Sequence, residues 1–528
     1  ISLEPGETAD IIFSLGVIPK TEFEKTKKET LAKFRLKNEI ESELSNIKEG
    51  WNNFLSNTQI ETTDSQVNTF MNYWIPYQAK VAFDIGRVAS FYYWGLGRGF
   101  GFRDTSQDTI AITIADKIKA KDRILLLSRQ MQSDGKVFHH FFNDGQGEFT
   151  KHCDDPLWYI LAVNDYIKES GDFSILNENT NFSDGKTGTV LEHLLAVVNF
   201  AENNLTERNL PIFGRGDWND TLDYIGGKKG GESVWGAMFY VAMLTQLINL
   251  LQHINEKVTV KNVILLRDRI KKSIDDLCWD GKWFLRAFGE DNVKIGSNEC
   301  ESGKIFINAQ SWAVIGNISS EERLISAMDS LKENLDSKYG PKICAPAFTG
   351  INKKIGLITR CVKGKKENGA VFCHPVPWVI QAECMLRRGN MAFEYFKKLL
   401  PDRIDSDTFV AEPYVFSQYI TSDEHDYPGR ASHSWQTGTA AWMYRVSYDY
   451  IAGVRATYEG LLIDPVIPSN WLKFTVHRKF RDTLYHITFN NPSGSQYGVK
   501  RIIVDDVEIE GSTLPVARKA ECFVTVWM

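Results

Sequence analysis

From about residue 65 to residue 451 the chain reads as one helix after another, and this run limits the possible folds more than any other feature. Leu191, Leu194, Leu195 and Val198 recur at helical spacing, as do Val241, Leu244, Ile248 and Leu251, and residues 378–399 follow the same pattern. Long loops rich in Gly, Asp, Asn and His separate these segments, and loops on a helical scaffold are where binding chemistry concentrates. Many helical hairpins in one compact region predict a closed α/α toroid. After Gly453 the period changes. LLIDPVIPSNWLKFTVHRKFRDTLYHITFNN and RIIVDDVEIEGSTLPV alternate apolar and polar residues, which predicts a β domain over 453–528. At the other end, residues 21–50 are highly charged with few apolar positions, as in a solvated connecting helix. Residues 1–17 read as two short strands around a Pro-Gly turn, and an opening without Met points to a missing N-terminal part.

Composition narrows the function classes. A net charge of −6 argues against a nucleic-acid-binding surface. The eight cysteines are scattered without metal-like pairing, so reduced thiols in a cytoplasmic protein are expected, not a disulfide framework or zinc site. The sequence shows no signal-peptide pattern and no apolar run judged long enough to span a membrane. Aromatic residues make up 12% of the chain, which suits either a large core or the apolar faces of sugars.

Four loop segments carry candidate chemistry. The first, RVASFYYWGLGRGFGFRDTSQD, interleaves Arg98, Arg103, Asp104 and Asp108 with Gly and aromatics. Its Gly-rich run follows no strand and opens no βαβ unit, so a dinucleotide-binding reading is rejected. The second, Gly216-Asp217-Trp218-Asn219-Asp220, sets two carboxylates and an indole in a tight turn. Asp220 is the better candidate acid, whereas Asp217 reads as a loop-building partner or a substrate ligand. A helix cap is the competing reading for the pair. In the third, KKENGAVFCHP, His374 can bind an anion when protonated or donate a hydrogen bond to one when neutral. The fourth, SWQTGTAAW, places hydroxyls and Gly amides before a helix, either as an anion cradle or as ordinary capping. His139-His140 and His152-Cys153-Asp154-Asp155 have the spacing of neither catalytic nor structural zinc sites and read as satisfied loop residues. No partner carboxylate beside GDWND is placed to activate water, although glycoside hydrolysis needs one.

Taken in order, GRGFGFRDTSQD, GDWND, KKENGAVFCHPVPW and SHSWQTGTAAWMYR resemble glycoside hydrolase family 94, the inverting disaccharide phosphorylases. The resemblance covers essentially the whole chain. It implies a mainly α fold: an (α/α)6 barrel over 65–452, preceded by a helical linker at 21–64 and a remnant of an N-terminal β-sandwich at 1–20. A jelly-roll-like β domain would follow at 453–528. It implies Asp220 as the general acid. Trp218, Arg98, Asp104 and Glu367, with Arg103, Asn219 and Lys366, become the groups that hold the sugar. Arg87, His374, Thr437 and the Gly438 amide become the phosphate site. Phosphate is already an anion at neutral pH and attacks C1 without a base, which accounts for the lone acid. Asp220 must then hold a proton, and desolvation or nearby negative charge is expected to raise its pKa. No metal or organic cofactor is implied, inorganic phosphate being a substrate, and family members commonly form homodimers.

The loop before the third motif (residues 357–366) lacks the acidic residue and Tyr of cellobiose-type members and is strongly basic. It is either a solvated loop or an acceptor site in which Arg360 and Lys363 meet a carboxylate, as in the gluconate half of cellobionic acid. The expected reaction is phosphorolysis of a β-linked glucosyl disaccharide, of cellobionic acid or cellobiose type, to α-glucose 1-phosphate. The alternatives are laminaribiose or chitobiose phosphorolysis, an inverting hydrolase on a similar barrel, or a non-catalytic carbohydrate-binding protein.

Overall fold

The computed structural model describes residues 2–13, 15, 18, 20–34, 36–87, 99–142, 145–227 and 230–528. The chain divides into two compact units, Ile1–Asn57 and Thr58–Met528. The first holds the helices Phe23–Lys33 and Lys37–Leu55; no residue of the former is buried and only Phe54 of the latter, as expected for a charged, solvated segment. The two strands expected before residue 18 do not form: the described residues there show a turn at Pro5–Gly6 and no strand. An isolated two-stranded hairpin is marginal in water, and every described residue from 2 to 13 is exposed.

In the second unit, Phe102–Ile112 packs on Trp158–Ser170, and the sequence of contacts continues through Val234–His253, Ile307–Ile315, Val376–Met385 and Thr439–Val446 back to Phe102–Ile112. These helices are buried on nearly all faces. A second set packs outside them: Ile75–Ile85, Lys117–Ser128, Val190–Asn203, Lys257–Leu277, Glu321–Leu335 and Gly389–Leu399. Glu321–Leu335 buries one stripe, including Leu324, Ala327, Met328 and Leu331, and leaves its charged face in water. Val234–His253 is 20 residues long and apolar enough to cross a membrane by length and composition, contrary to the sequence reading, but 83% of that stretch is buried inside the protein. An inner helix of a ring is apolar all round because protein surrounds it on every side.

Between residues 454 and 527 the regular elements are strands, as the alternation predicts. The largest sheet has the order Thr58–Glu61, Lys473–Phe480, Thr483–Asn490, Glu521–Trp527, Arg501–Val504, Val507–Ile509. Its edge strand Thr58–Glu61 comes from the stretch read as linker and pairs antiparallel with Lys473–Phe480. Glu169, on an inner helix, accepts hydrogen bonds from Arg445 at 2.6 Å and from Arg478 of the sheet at 2.6 and 2.7 Å, tying the helices to the sheet through buried charge.

Five inner helices each direct a tryptophan to a common centre: Trp158, Trp235, Trp312, Trp378 and Trp442. Ring centroids lie 5.4 Å apart for Trp312–Trp378 and 5.7 Å for Trp378–Trp442, mostly edge to face, the geometry that aromatic quadrupoles favour. The sixth helix contributes Gln107, whose Oε1 accepts the Trp442 indole N–H at 2.8 Å. The aromatic content is therefore largely core, and this core is the floor on which the functional loops rest.

Candidate active site

The GDWND loop is fixed from beneath. Asp217 is fully buried; its Oδ1 accepts from Arg286 Nη2 at 2.5 Å and from the Asn219 amide at 3.0 Å, and its Oδ2 accepts from Ser233 at 2.6 Å. Asn219 Oδ1 accepts from Arg286 Nη2 at 2.8 Å and Asn308 at 3.0 Å, while its Nδ2 donates to Glu367 Oε2 at 3.0 Å. Of the two roles left open for Asp217, the bonds match loop building. Gly214 has φ +63°, and a Cβ there would stand 2.1 Å from the Lys151 carbonyl, so the turn into the loop requires glycine. Trp218 lands on the aromatic floor, with its ring 4.8 Å from Trp378 and 5.2 Å from His374. Asp220 is left at the end of the loop with 58% of its side chain accessible, in a cavity of about 280 Å³ that Arg103, Asp104, Arg215 and Asp223 also line.

A second cluster, built on Arg87, His374 and Gly438, reaches Trp218 through His374. Arg87 follows the C-terminus of Ile75–Ile85 with φ +59°, a left-handed conformation that costs a non-glycine residue about 1–2 kcal/mol. Its guanidinium is anchored to Asp108 at 2.9 and 3.1 Å and to Asp104 Oδ1 at 2.7 Å. Burial opposes its charge, and Asp104 and Asp108 more than restore it, so the pKa is raised. A Cβ on Gly438 would meet Arg87 Nη2 at 2.4 Å and His374 Cε1 at 2.7 Å, so these three residues converge on one point at the start of Thr439–Val446. Thr437 is buried beside them and its hydroxyl pairs with that of Thr439 at 2.6 Å.

His374 differs from expectation. Burial first, and then the neighbouring Arg87, push its pKa well below the ordinary histidine value, so the ring is neutral. Gln107 Nε2 donates to the Arg103 carbonyl and its Oε1 already accepts from Trp442, so His374 Nε2 must be the donor in the 2.9 Å bond to that oxygen. Its N–H is committed, and the remaining Nδ1 is an acceptor.

Asp220 also reverses an expectation. The protein packed around it disfavours its charge, but Arg103, with smaller contributions from His152 and His139, holds the carboxyl below its usual range. Arg103 Nη2 donates to Asp220 Oδ1 at 2.5 Å while Nη1 donates to the Asp217 carbonyl at 2.9 Å. Glu367 is instead pushed up to about 7 by burial and by the Asp220 charge.

The structure thus brings together Arg87, Arg103, Asp104, Trp218, Asn219, Asp220, Glu367, His374, Thr437 and Gly438. Lys366 adjoins Glu367, half-buried and with φ +54°. Arg98 lies outside the described residues. Arg360 and Lys363 are exposed and line neither the cavity at Asp220 nor the adjoining cleft of about 1590 Å³. That cleft shares Arg215 and Asp223 with the Asp220 cavity and is also lined by Lys353 and Lys354. The sequence reading missed Gln107, Arg286 and Asn308, each of which holds a motif residue distant in sequence. It also missed that His139 and His152 face Asp220: their rings stack at 4.0 Å, and His152 Nε2 lies 3.9 Å from Asp220 Oδ1.

Residues 50–453 match the model of the glycosyl hydrolase 94 superfamily, catalytic domain, and the chain belongs to that family. It is 31% identical to an N,N'-diacetylchitobiose phosphorylase of Vibrio furnissii, over 96% of this chain and 66% of that protein. Identity to a solabiose phosphorylase of Paenibacillus borealis is also 31%, over 98% of this chain and 66% of the relative. A 3-O-beta-D-glucopyranosyl-beta-D-glucuronide phosphorylase of Paenibacillus borealis is 29% identical, over the full chain and 68% of its own length. The chain thus spans about two thirds of the length of these relatives.

Proposed function

We propose that this chain catalyses reversible, inverting phosphorolysis of a β-linked glucosyl disaccharide to α-D-glucose 1-phosphate and the free acceptor sugar. The observation that carries this is the convergence of Gly438, Arg87 and His374 next to Trp218, in the same GDWND loop that ends on the accessible acid Asp220. In this reading the ring of inner and outer helices is an (α/α)6 barrel, and the C-terminal strands form the jelly-roll-like domain of the family. Arg87 and the amides at Thr437–Gly438 hold phosphate. His374 Nδ1 accepts the hydrogen of HPO₄²⁻, which turns the unprotonated oxygens toward C1. Trp218 and Glu367 hold the glucosyl unit, with Asn219 fixing Glu367. Asp220 protonates the leaving oxygen, and phosphate attacks from the opposite face, which inverts the anomeric centre. Asp220 gains its proton in the ternary complex, where sugar displaces water and the phosphate charge offsets the arginines.

The acceptor carries a carboxylate in this reading, as cellobionic acid does. The support is chemical: Arg215, Lys353 and Lys354 line the cleft beside Asp223, and one relative is named for a glucuronide. The full protein acts as a homodimer in the cytoplasm. The test is a phosphate-dependent screen of cellobiose, cellobionic acid, laminaribiose and N,N'-diacetylchitobiose, with sugar 1-phosphate as the readout. Sugar 1-phosphate should form only with phosphate present, and fastest from cellobionic acid. Equal sugar release without phosphate would identify an inverting hydrolase, and a higher kcat/KM on cellobiose would remove the acidic acceptor.

Gly438→Ala tests the phosphate corner. The added Cβ has no room because Arg87 is pinned by Asp104 and Asp108, and His374 by Gln107. The KM for phosphate should rise on the order of 10–100-fold, as sub-ångström misplacement of a binding group does, with the disaccharide KM little changed. Equal rises in both would place phosphate elsewhere.

A further inference from the structure

His139, His152 and Asp220 each offer one ligand atom, and these atoms lie within 4.8 Å of one another. They come from separate loops, so their sequence spacing conceals the cluster. The two histidines are set up as metal ligands usually are. His139 Nδ1 is bonded to Asp155 Oδ2 at 2.7 Å and His152 Nδ1 to the Thr150 hydroxyl, which leaves Nε2 of each ring for a metal and fixes both rings. Two histidines and one carboxylate are a common donor set for zinc-class ions. Donors 2.0–2.1 Å from a tetrahedral ion stand about 3.3 Å apart, so the cluster must contract. Asp220, with 58% of its side chain accessible, is the member able to move. The cavity around it suits a cation, since Asp104, Glu148, Asp220 and Asp223 outnumber Arg103 and Arg215. Arg103 is the competitor: it now holds Asp220 Oδ1, the oxygen that lies 3.9 Å from His152 Nε2, and an ion must draw the carboxylate away from it.

We propose that His139, His152 and Asp220 form a binding site for a divalent ion of the zinc class, and that occupancy removes Asp220 from catalysis. Zinc would then be an inhibitor that competes with the disaccharide at the acid, leaving the phosphate corner untouched. The binding claim stands on the cluster alone, whereas the inhibition claim rests on the phosphorylase reading.

Binding is measured on the whole chain by Zn²⁺ calorimetry and by the visible absorption of bound Co²⁺, each independent of activity. One Zn²⁺ should bind, and His152→Gln should weaken it by about 100-fold while retaining the parent's circular dichroism and melting profile. Asp220→Asn should weaken it as well. His139→Gln also breaks the bond to Asp155; should that variant fail to fold, His152→Gln decides. An unchanged Zn²⁺ affinity and Co²⁺ spectrum in folded His152→Gln would overturn the site. In the phosphorolysis assay the half-inhibiting Zn²⁺ concentration should rise with disaccharide and not with phosphate. If Zn²⁺ binds as described yet the chain releases no sugar 1-phosphate, the site stands and the phosphorylase reading falls.

Discussion

Asp220→Asn is expected to lower kcat for disaccharide phosphorolysis by about 10²–10⁴-fold, the usual contribution of a general acid. The amide oxygen of Asn can still accept the Arg103 bond, and the loop is fixed by Asp217 and Asn219, not by Asp220, so the fold should be unaffected. What is lost is the proton for the departing oxygen. An aryl β-glucoside, whose leaving group needs little protonation, should therefore be affected far less than the disaccharide, and comparison of the two substrates isolates the chemistry from binding. The pH dependence follows from the sign of the shift. A general acid works while protonated, so activity falls as pH rises through its pKa. Arg103 depresses that pKa in the unliganded chain. The basic limb of kcat/KM, which reports the free enzyme, should thus lie at lower pH than the basic limb of kcat, which reports the complex. An Asp220→Asn variant with undiminished disaccharide phosphorolysis would end the assignment.

The sequence made the types of group at this site legible, but not their electrical state. GDWND, KKENGAVFCHP and SWQTGTAAW show an acid, a histidine and a Gly turn because residue identity alone reveals them. That Asp220 is depressed depends on Arg103 reaching it from 117 residues away, and that Glu367 is raised depends on its burial and on the Asp220 charge. His374 was open to two roles until Gln107, 267 residues earlier, was seen to take its N–H. The same blindness hid the His139–His152 pair, since sequence spacing says little once two loops fold over one cavity. Local periodicity fared better: Val190–Asn203 and Val234–His253 form where the apolar repeats predict, because an amphipathic or buried helix writes its own pattern. Thr58–Glu61 is too short to carry such a pattern, and its strand state comes from its partner Lys473–Phe480.

The largest loss of stability is expected from Arg286→Met. Arg286 and Asp217 are both fully buried and bonded at 2.5 Å, and the same guanidinium holds Asn219. The methionine roughly keeps the volume but leaves the Asp217 charge fully buried, with hydrogen bonds from Ser233 and the Asn219 amide. Removing one partner of a buried pair costs about 3–5 kcal/mol, which would appear as a lowered midpoint of urea unfolding followed by tryptophan fluorescence. The exposed pair Lys272–Asp276, with 77% and 53% of its side chains accessible, is the control. Lys272→Met should leave the midpoint nearly unchanged, because water screens both charges and replaces the contact. Activity should fall with Arg286→Met under folded conditions as well, since Asn219 carries the constraint on to Glu367. Equal midpoints for the two variants would mean that the GDWND loop holds its shape without the buried pair, through Arg103 and the Asn219 bonds to Asn308 and Glu367.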